Sequence, residues 1–206
     1  MAKSKKVSCI MITLPELIAT LTQKANRKSP FVVGVSGLGN AGKSTITKAL
    51  LKQLPEAYIV HIDDFYKPVK EREGEHHSEQ IISTCFDWDR LETDVFDQIA
   101  AGKDRLTYDI YDWVRTEIDR CTCIPLSGII IVEGIYALQD RFLPKYDFTV
   151  WIDTPEEERD VRARKRYNDE FYALWKNVWI GQDRRYIHAH RPAERADAII
   201  SGHKNI

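Results

Sequence analysis

No stretch of the chain is apolar for long enough to span a bilayer. Nor is a secretory leader expected: Met1 to Lys6 is basic, but the apolar run behind it is short and interrupted. The cytoplasm is the expected location, with no membrane partner. Cysteine is sparse, confined to Cys9, Cys85, Cys121 and Cys123. Only the last two are close, and C-x-C lacks zinc-ligand spacing. Without a secretory context, reduced structural thiols are expected. An excess of either charge is also missing: 30 Lys and Arg against 31 Asp and Glu leave a formal net charge of −1. That balance argues against a protein held to nucleic acid mainly by phosphate attraction, and no nucleic-acid partner is expected. Internal repeats and low-complexity segments are absent, which excludes solenoids and arrays.

What is present fits an ordinary globular protein. Of 206 residues, 43% are hydrophobic and 30% charged, enough for one α/β core and too few for two large ones. The expected organisation is a single domain over 1–206. Residues 1–28 form an N-terminal helical extension, and about 156–190 form a lid and the helix after it.

The most informative stretch begins with the apolar run Phe31 to Val35 and continues through Gly37-Leu38-Gly39-Asn40-Ala41-Gly42-Lys43-Ser44-Thr45. Gly37 to Ser44 satisfies G-x-x-x-x-G-K-[ST], the P-loop pattern. Glycines let the backbone curl so that successive N–H groups converge on phosphate oxygens. A helix starting near Lys43 adds its positive end to the same anion. Gly37, Gly39, Asn40, Ala41, Gly42, Lys43, Ser44 and Thr45 are therefore the candidate ATP-binding residues. Lys43 has the reach for the β- and γ-phosphates, and the Ser44 hydroxyl suits Mg²⁺.

Around this stretch the hydrophobic patterns alternate between strand and helix. Thr13-Leu14-Pro15-Glu16 is a capping box, and Leu14, Leu17, Ile18 and Leu21 share one face, which predicts a helix over about 14–26. Residues 1–12 read as a ragged start or a short strand. Apolar strands are expected at 31–36, 57–62, 129–133, 148–153 and near 196–200, and helices after the P-loop, over 88–101 and from Glu156. Leu106 to Trp113 and Arg115 to Cys123 suggest a hairpin. Residues 69–82 are expected to be a mobile loop, and His76-His77 in it to be solvated rather than metal-bound. Buried strands joined by crossovers imply an α/β fold: a parallel sheet of about five strands with helices on both faces, plus a small hairpin and a helical lid. Ligands in such sheets bind beyond the carboxyl ends of the strands. The P-loop, Asp63-Asp64, Glu133 and Asp153 all fall there.

Three further features bear on what happens to a bound phosphate. Asp63-Asp64 could supply a carboxylate to take the proton of an attacking hydroxyl, or simply close a turn. Glu133 ends Ile129-Ile130-Ile131-Val132, a placement suited to holding Mg²⁺ beside Ser44. Arg159, Arg162 and Arg166 stand at i, i+3 and i+7, so they share a helix face. Such a face suits a lid closing on a triphosphate; the alternative is a solvated helix pairing with Glu156, Glu157 and Glu158.

Together these residues resemble the uridine kinase, phosphoribulokinase and nicotinamide riboside kinase family of P-loop small-molecule kinases. The likeness spans Phe31 to Ile200 and rests on Gly37 to Thr45, Asp63-Asp64-Phe65-Tyr66-Lys67-Pro68, Phe86-Asp87-Trp88-Asp89, Tyr108-Asp109, Val132-Glu133-Gly134-Ile135, Asp153-Thr154 with Arg159 and Arg162, and Ala196 to Ile200. The resemblance implies a P-loop NTPase fold and an ATP- and Mg²⁺-dependent kinase. It implies Asp63 as the base, Asp87 as the ribose-binding acid, and Arg159 and Arg162 as lid arginines. Lys43, Asp63, Arg159 and Arg162 are thus the candidate catalytic residues, and Ser44 and Glu133 the candidate metal ligands. Tyr66, Asp87, Tyr108 and Trp113 are the candidates for the acceptor. Trp113 stands where uridine kinases carry a base-reading histidine, and Ile110 where an aromatic precedes it. The Asp63-to-Pro68 segment is nearer the nicotinamide riboside kinases, whereas the chain after residue 165 is nearer the uridine kinases. A nucleoside or riboside is the expected small-molecule acceptor; nicotinamide riboside, pantothenate or a sugar are alternatives, and homo-oligomerisation stays open. A nucleotide-gated switch would be a different class, but no Asn-Lys-x-Asp guanine-reading segment is present.

Overall fold

The computed structural model describes residues 10–72 and 82–203. The segment containing His76 and His77 lies outside them, as does Cys9.

Six strands form one parallel sheet: β1 (Ile10–Ile12), β2 (Phe31–Gly37), β3 (Ala57–His61), β6 (Ile129–Glu133), β7 (Phe148–Asp153) and β8 (Ala198–Ser201). Their order is β1-β8-β7-β2-β6-β3, which puts the P-loop strand near the middle. The expected count was about five. The sixth is the short edge strand β1, which among the described residues pairs with β8 alone. Between β3 and β6, β4 (Arg105–Asp112) and β5 (Glu117–Pro125) make the separate antiparallel hairpin.

Alternation along the strands explains the two-sided core. Val32, Val60, Ile130, Val132 and Trp151 face one side and pack with Phe65, Phe86, Leu91, Phe96 and Phe142. Val33, Val35, Ile129, Ile131, Val150 and Ile152 face the other. There they meet Leu17 and Leu21 of α1 (Leu14–Ala25) and Ile46, Leu50 and Leu54, the first two from α2 (Lys43–Gln53). Every residue of β2 and β6 is buried, so neither strand shows the polar alternation of a half-exposed one. The capping box at α1 forms as read: the Thr13 side chain accepts from the Glu16 N–H, and Glu16 reaches back to the Thr13 N–H at 2.8 Å.

The segment over 88–100 is helical throughout but not uniformly so. α3 (Trp88–Leu91) passes through a π-helical turn, Glu92–Asp97, into α4 (Gln98–Ala100). After β7 the chain forms an arm: α5 (Glu156–Arg166), α6 (Asp169–Leu174), a second π-helical turn at Trp175–Trp179, and α7 (Ile180–His190). Ala163, Trp175 and Ile180 form a small core of their own inside it. α8 (Pro192–Arg195) then leads into β8. Among the described residues no helix is long and apolar enough to cross a membrane.

Candidate active site

The carboxyl end of β2 runs into the glycine-rich loop, and the loop into α2. Gly42 caps that helix with φ at 99°, a conformation that side chains rarely adopt, so glycine is required there. Gly39 lets the arm approach closely: a Cβ on it would stand 3.1 Å from Nε1 of Trp175, tight enough that the ring would have to give by a few tenths of an ångström. Lys43 folds back over the loop, its Nζ donating to the Leu38 carbonyl at 3.1 Å. Burial pushes its ammonium below the ordinary lysine range, with Glu133 and Asp63 opposing. Ser44 and Thr45 are exposed at the helix start.

Three carboxylates stand across from the loop. Glu133, at the end of β6, is buried and in register with His61 of β3, whose Nδ1 lies 3.0 Å from Glu133 Oε2. That hydrogen bond raises the His61 imidazole above its usual range. Asp63 and Asp64 lie in the 3-10 turn Ile62–Phe65 that follows β3. Asp63 is open to the cleft yet hemmed in by its walls, and that crowding, with the Glu133 charge, pushes its carboxyl up; Lys43 and His61 oppose the shift. Asp64 is pushed up to about 6, chiefly by burial.

These groups line one cavity of about 530 Å³. It runs from Gly39, Lys43 and Ser44 past Asp63, Asp64 and Glu133 to an aromatic wall. Tyr66, Phe86, Trp113 and Tyr136 supply one side, and the arm residues Tyr167, Phe171, Trp175 and Trp179 the other. A second hollow of about 220 Å³ lies over the loop and the start of α2, bounded by Asn40, Gly42, Thr45 and Arg162. Lys43, Ser44 and Arg166 border both spaces, so they mark the junction.

The arm meets the loop through its arginines. Arg159 is buried, with Nη1 3.1 Å from Asp183 Oδ2 and 3.4 Å from the Gly39 carbonyl. Arg162 donates to the carbonyls of Asn40 at 3.2 Å and Gly202 at 2.5 Å, and also pairs with Glu158. Arg164 turns away to Asp160.

A family model described as the phosphoribulokinase / uridine kinase family matches residues 32–201. The chain belongs to that family. Its members are kinases that transfer phosphate to hydroxyl groups, with ATP as the expected donor. Over 170 residues the chain is 27% identical to a uridine kinase of Ureaplasma urealyticum, covering 74% of this chain and 80% of that one. A pantothenate kinase of Rhodopseudomonas palustris is 30% identical over 203 residues, covering 85% of this chain and 60% of the relative. Among solved structures, one titled as a possible uridine kinase from Bacillus stearothermophilus superposes with a TM-score of 0.68 at 21% identity, covering 91% of this chain and 98% of that one. A Silicibacter sp. TM1040 kinase named for a fructose transport system gives 0.73, also at 21%, with the same coverage. Both likenesses concern the fold.

Placed on this family member, the expected site residues divide. Gly39, Asn40, Gly42, Lys43, Ser44 and Thr45 of the P-loop gather around the two spaces with Asp63, Glu133, Tyr66, Trp113 and Arg162, whereas Gly37, Ala41 and Arg159 border neither. Trp113 sits at the hairpin tip, half exposed, its ring 4.6 Å from that of Tyr66. Asp87 and Tyr108 do not border either space. Asp87 is the N-cap of α3, its Oδ1 accepting the Arg90 N–H at 3.0 Å. Tyr108 is buried, stacked on Phe65 at 5.3 Å, with its hydroxyl on Asp64. Asp153 is exposed and also lies off both spaces.

Other residues enter the site beyond the candidate catalytic, binding and metal-holding sets. Arg166 carried a signal, since it shares the face of Arg159 and Arg162. Asp183, Trp175 and Trp179 carried none, because their place depends on how α7 folds back over the loop. His61 was visible only as the polar end of an apolar strand.

Proposed function

We propose that this kinase transfers the γ-phosphate of ATP to a primary hydroxyl of a nucleoside or a related riboside. The observation that carries the reading is that the two spaces adjoin at Lys43, Ser44 and Arg166, which border both. A phosphate on the loop and an acceptor against the aromatic wall would meet at that junction, with Asp63 beside it. In this reading the loop amides and Lys43 hold the phosphates. Asp63, already inclined toward protonation by its surroundings, takes the proton of the acceptor hydroxyl. Arg162 and Arg166 face the charge that develops on transfer. The arm excludes water, so ATP is not spent on hydrolysis.

The donor set suits Mg²⁺: the Ser44 hydroxyl and the Glu133 carboxylate are hard oxygen ligands bordering one cavity, and His61 occupies only one Glu133 oxygen. When bound there, Mg²⁺ would neutralise charge on the phosphate oxygens. The role of His61 is then to fix the carboxylate's orientation by donating its Nδ1–H.

The acceptor space also argues against an anionic substrate. Asp63, Asp64, Glu133 and Asp183 border it, against Lys43, Arg166 and the His61 imidazole, which is tied to Glu133. Its aromatic rings suit a flat heterocycle, neutral or cationic, better than a carboxylate such as pantothenate. A coupled ADP-release screen over nucleosides, nicotinamide riboside, pantothenate and sugars tests this. Turnover confined to pantothenate or to sugars would overturn the riboside reading. GTP binding without transfer to any acceptor would overturn the kinase mechanism proposed for these residues.

A further inference from the structure

Asp183 lies on α7, far in sequence from the loop, yet it occupies the loop's own neighbourhood. It is 3% exposed and lines the large cavity beside Gly39 and Lys43. Its Oδ2 is 3.1 Å from Arg159 Nη1, and the same guanidinium nitrogen reaches the Gly39 carbonyl. The Gly39 N–H, an amide of the phosphate cradle, is directed at this carboxylate, and the Lys43 charge acts on it. One anion thus has as neighbours a cradle amide, a lid arginine and the P-loop lysine. Those are the three kinds of group that a polyphosphate would use. A carboxylate fixed there would also repel an incoming phosphate.

We propose that Asp183 is an internal placeholder anion. In the nucleotide-free protein it holds Gly39 and Arg159 in the arrangement that phosphate requires, and polyphosphate takes both over from it when it binds. Asp183 is a positioning residue in this scheme, since it acts through the cradle and Arg159. Partner exchange then couples phosphate arrival to the release of α7, the helix that carries Gln182 on the wall of the acceptor space. The inference rests on the assignment of loop 37–45 to nucleotide phosphates.

The test compares ADP and inorganic tripolyphosphate binding by calorimetry in wild type and Asp183→Asn. The asparagine keeps an acceptor for Gly39 but removes the competing charge. About tenfold tighter binding is expected in the variant, the scale set by one opposing unit charge at close range. Equal or weaker binding would overturn the placeholder and leave Asp183 as a plain support for the loop. A wild-type protein that binds neither ligand would instead overturn the phosphate-loop assignment. Because the buried Arg159 loses its nearer charge partner in the variant and keeps the longer pair to Glu156 at 3.9 Å, a second measurement uses wild type alone. Hydrogen exchange over 180–190 should rise when tripolyphosphate binds. An unchanged or reduced rate there overturns the exchange of partners.

Discussion

The two ends of the cavity are built in opposite ways. At the end proposed for phosphate the groups assigned to the ligand are mostly backbone, held by a glycine at φ 99° and by a helix start, and the loop is continuous with a wholly buried strand. At the acceptor end they are side chains, borrowed from the hairpin tip and from an arm with its own small core. A backbone cradle has few ways to vary without losing its shape. A wall of rings can be altered one residue at a time while the sheet behind it stays intact. On the proposed function, the first end would carry the phosphate chemistry and the second the choice of acceptor.

That contrast can be tested by substitution. The largest effect should come from Asp63→Asn, which lowers transfer about 10²–10⁴-fold for every acceptor while ADP binding, read by calorimetry, is retained. If Asp64→Asn is the damaging change instead, the base is the neighbouring carboxylate. Lys43→Ala should lower transfer about 10²–10³-fold, again whatever the acceptor, with the circular dichroism spectrum unchanged. Wild-type turnover in that variant would remove the loop from the mechanism. Trp113→Ala should raise the KM for the acceptor about tenfold and leave the KM for ATP alone. A change in both would show that the two ends are not separable at the hairpin tip.

Two smaller effects concern stability. The Asp64 carboxyl titrates near 6, above its unfolded value near 4, because burial disfavours its charge. Its contribution to stability is therefore full below pH 4 and is lost as pH rises through 6. Asp64→Asn should flatten that part of the urea-unfolding profile, a difference on the order of 2 kcal/mol at neutral pH. An unchanged profile would mean that Asp64 does not carry the shift. Asp87→Ala should cost about 1 kcal/mol through loss of the α3 cap, whereas Asp87→Asn keeps the cap. If Asp87→Asn nevertheless raises the acceptor KM, Asp87 reaches the substrate when the site is occupied and belongs to the acceptor end.

The sequence spoke clearly where local chemistry decides structure. The capping box at Thr13, the apolar runs of β2 and β6 and the loop from Gly37 each need only neighbouring residues to be read. The hairpin also followed, from alternating residues on either side of a turn. The edge strand β1 was ambiguous because three residues with one partner leave little pattern. The site was legible where a strand end placed a residue, as with Asp63 and Glu133. It was not legible where distant segments meet: nothing near Asp183 or Trp175 indicates that they will lie against Gly39. Asp87 shows the converse, since an acid that opens a helix reads alike whether it caps the helix or faces a ligand.

The π-helical turn at Trp175–Trp179 has a consequence for how the acceptor end could change over time. A π turn holds one residue more than an α turn, and each residue of an α-helix advances it by about 100°. Removing one residue from this turn would restore ordinary winding and swing everything after it. Asp183 would leave the loop and Tyr186 would leave its place beside Ser36, while no residue of the sheet need change. Chain length in this one turn is thus a heritable setting, able to redirect the whole of α7 in a single step where substitutions would need many.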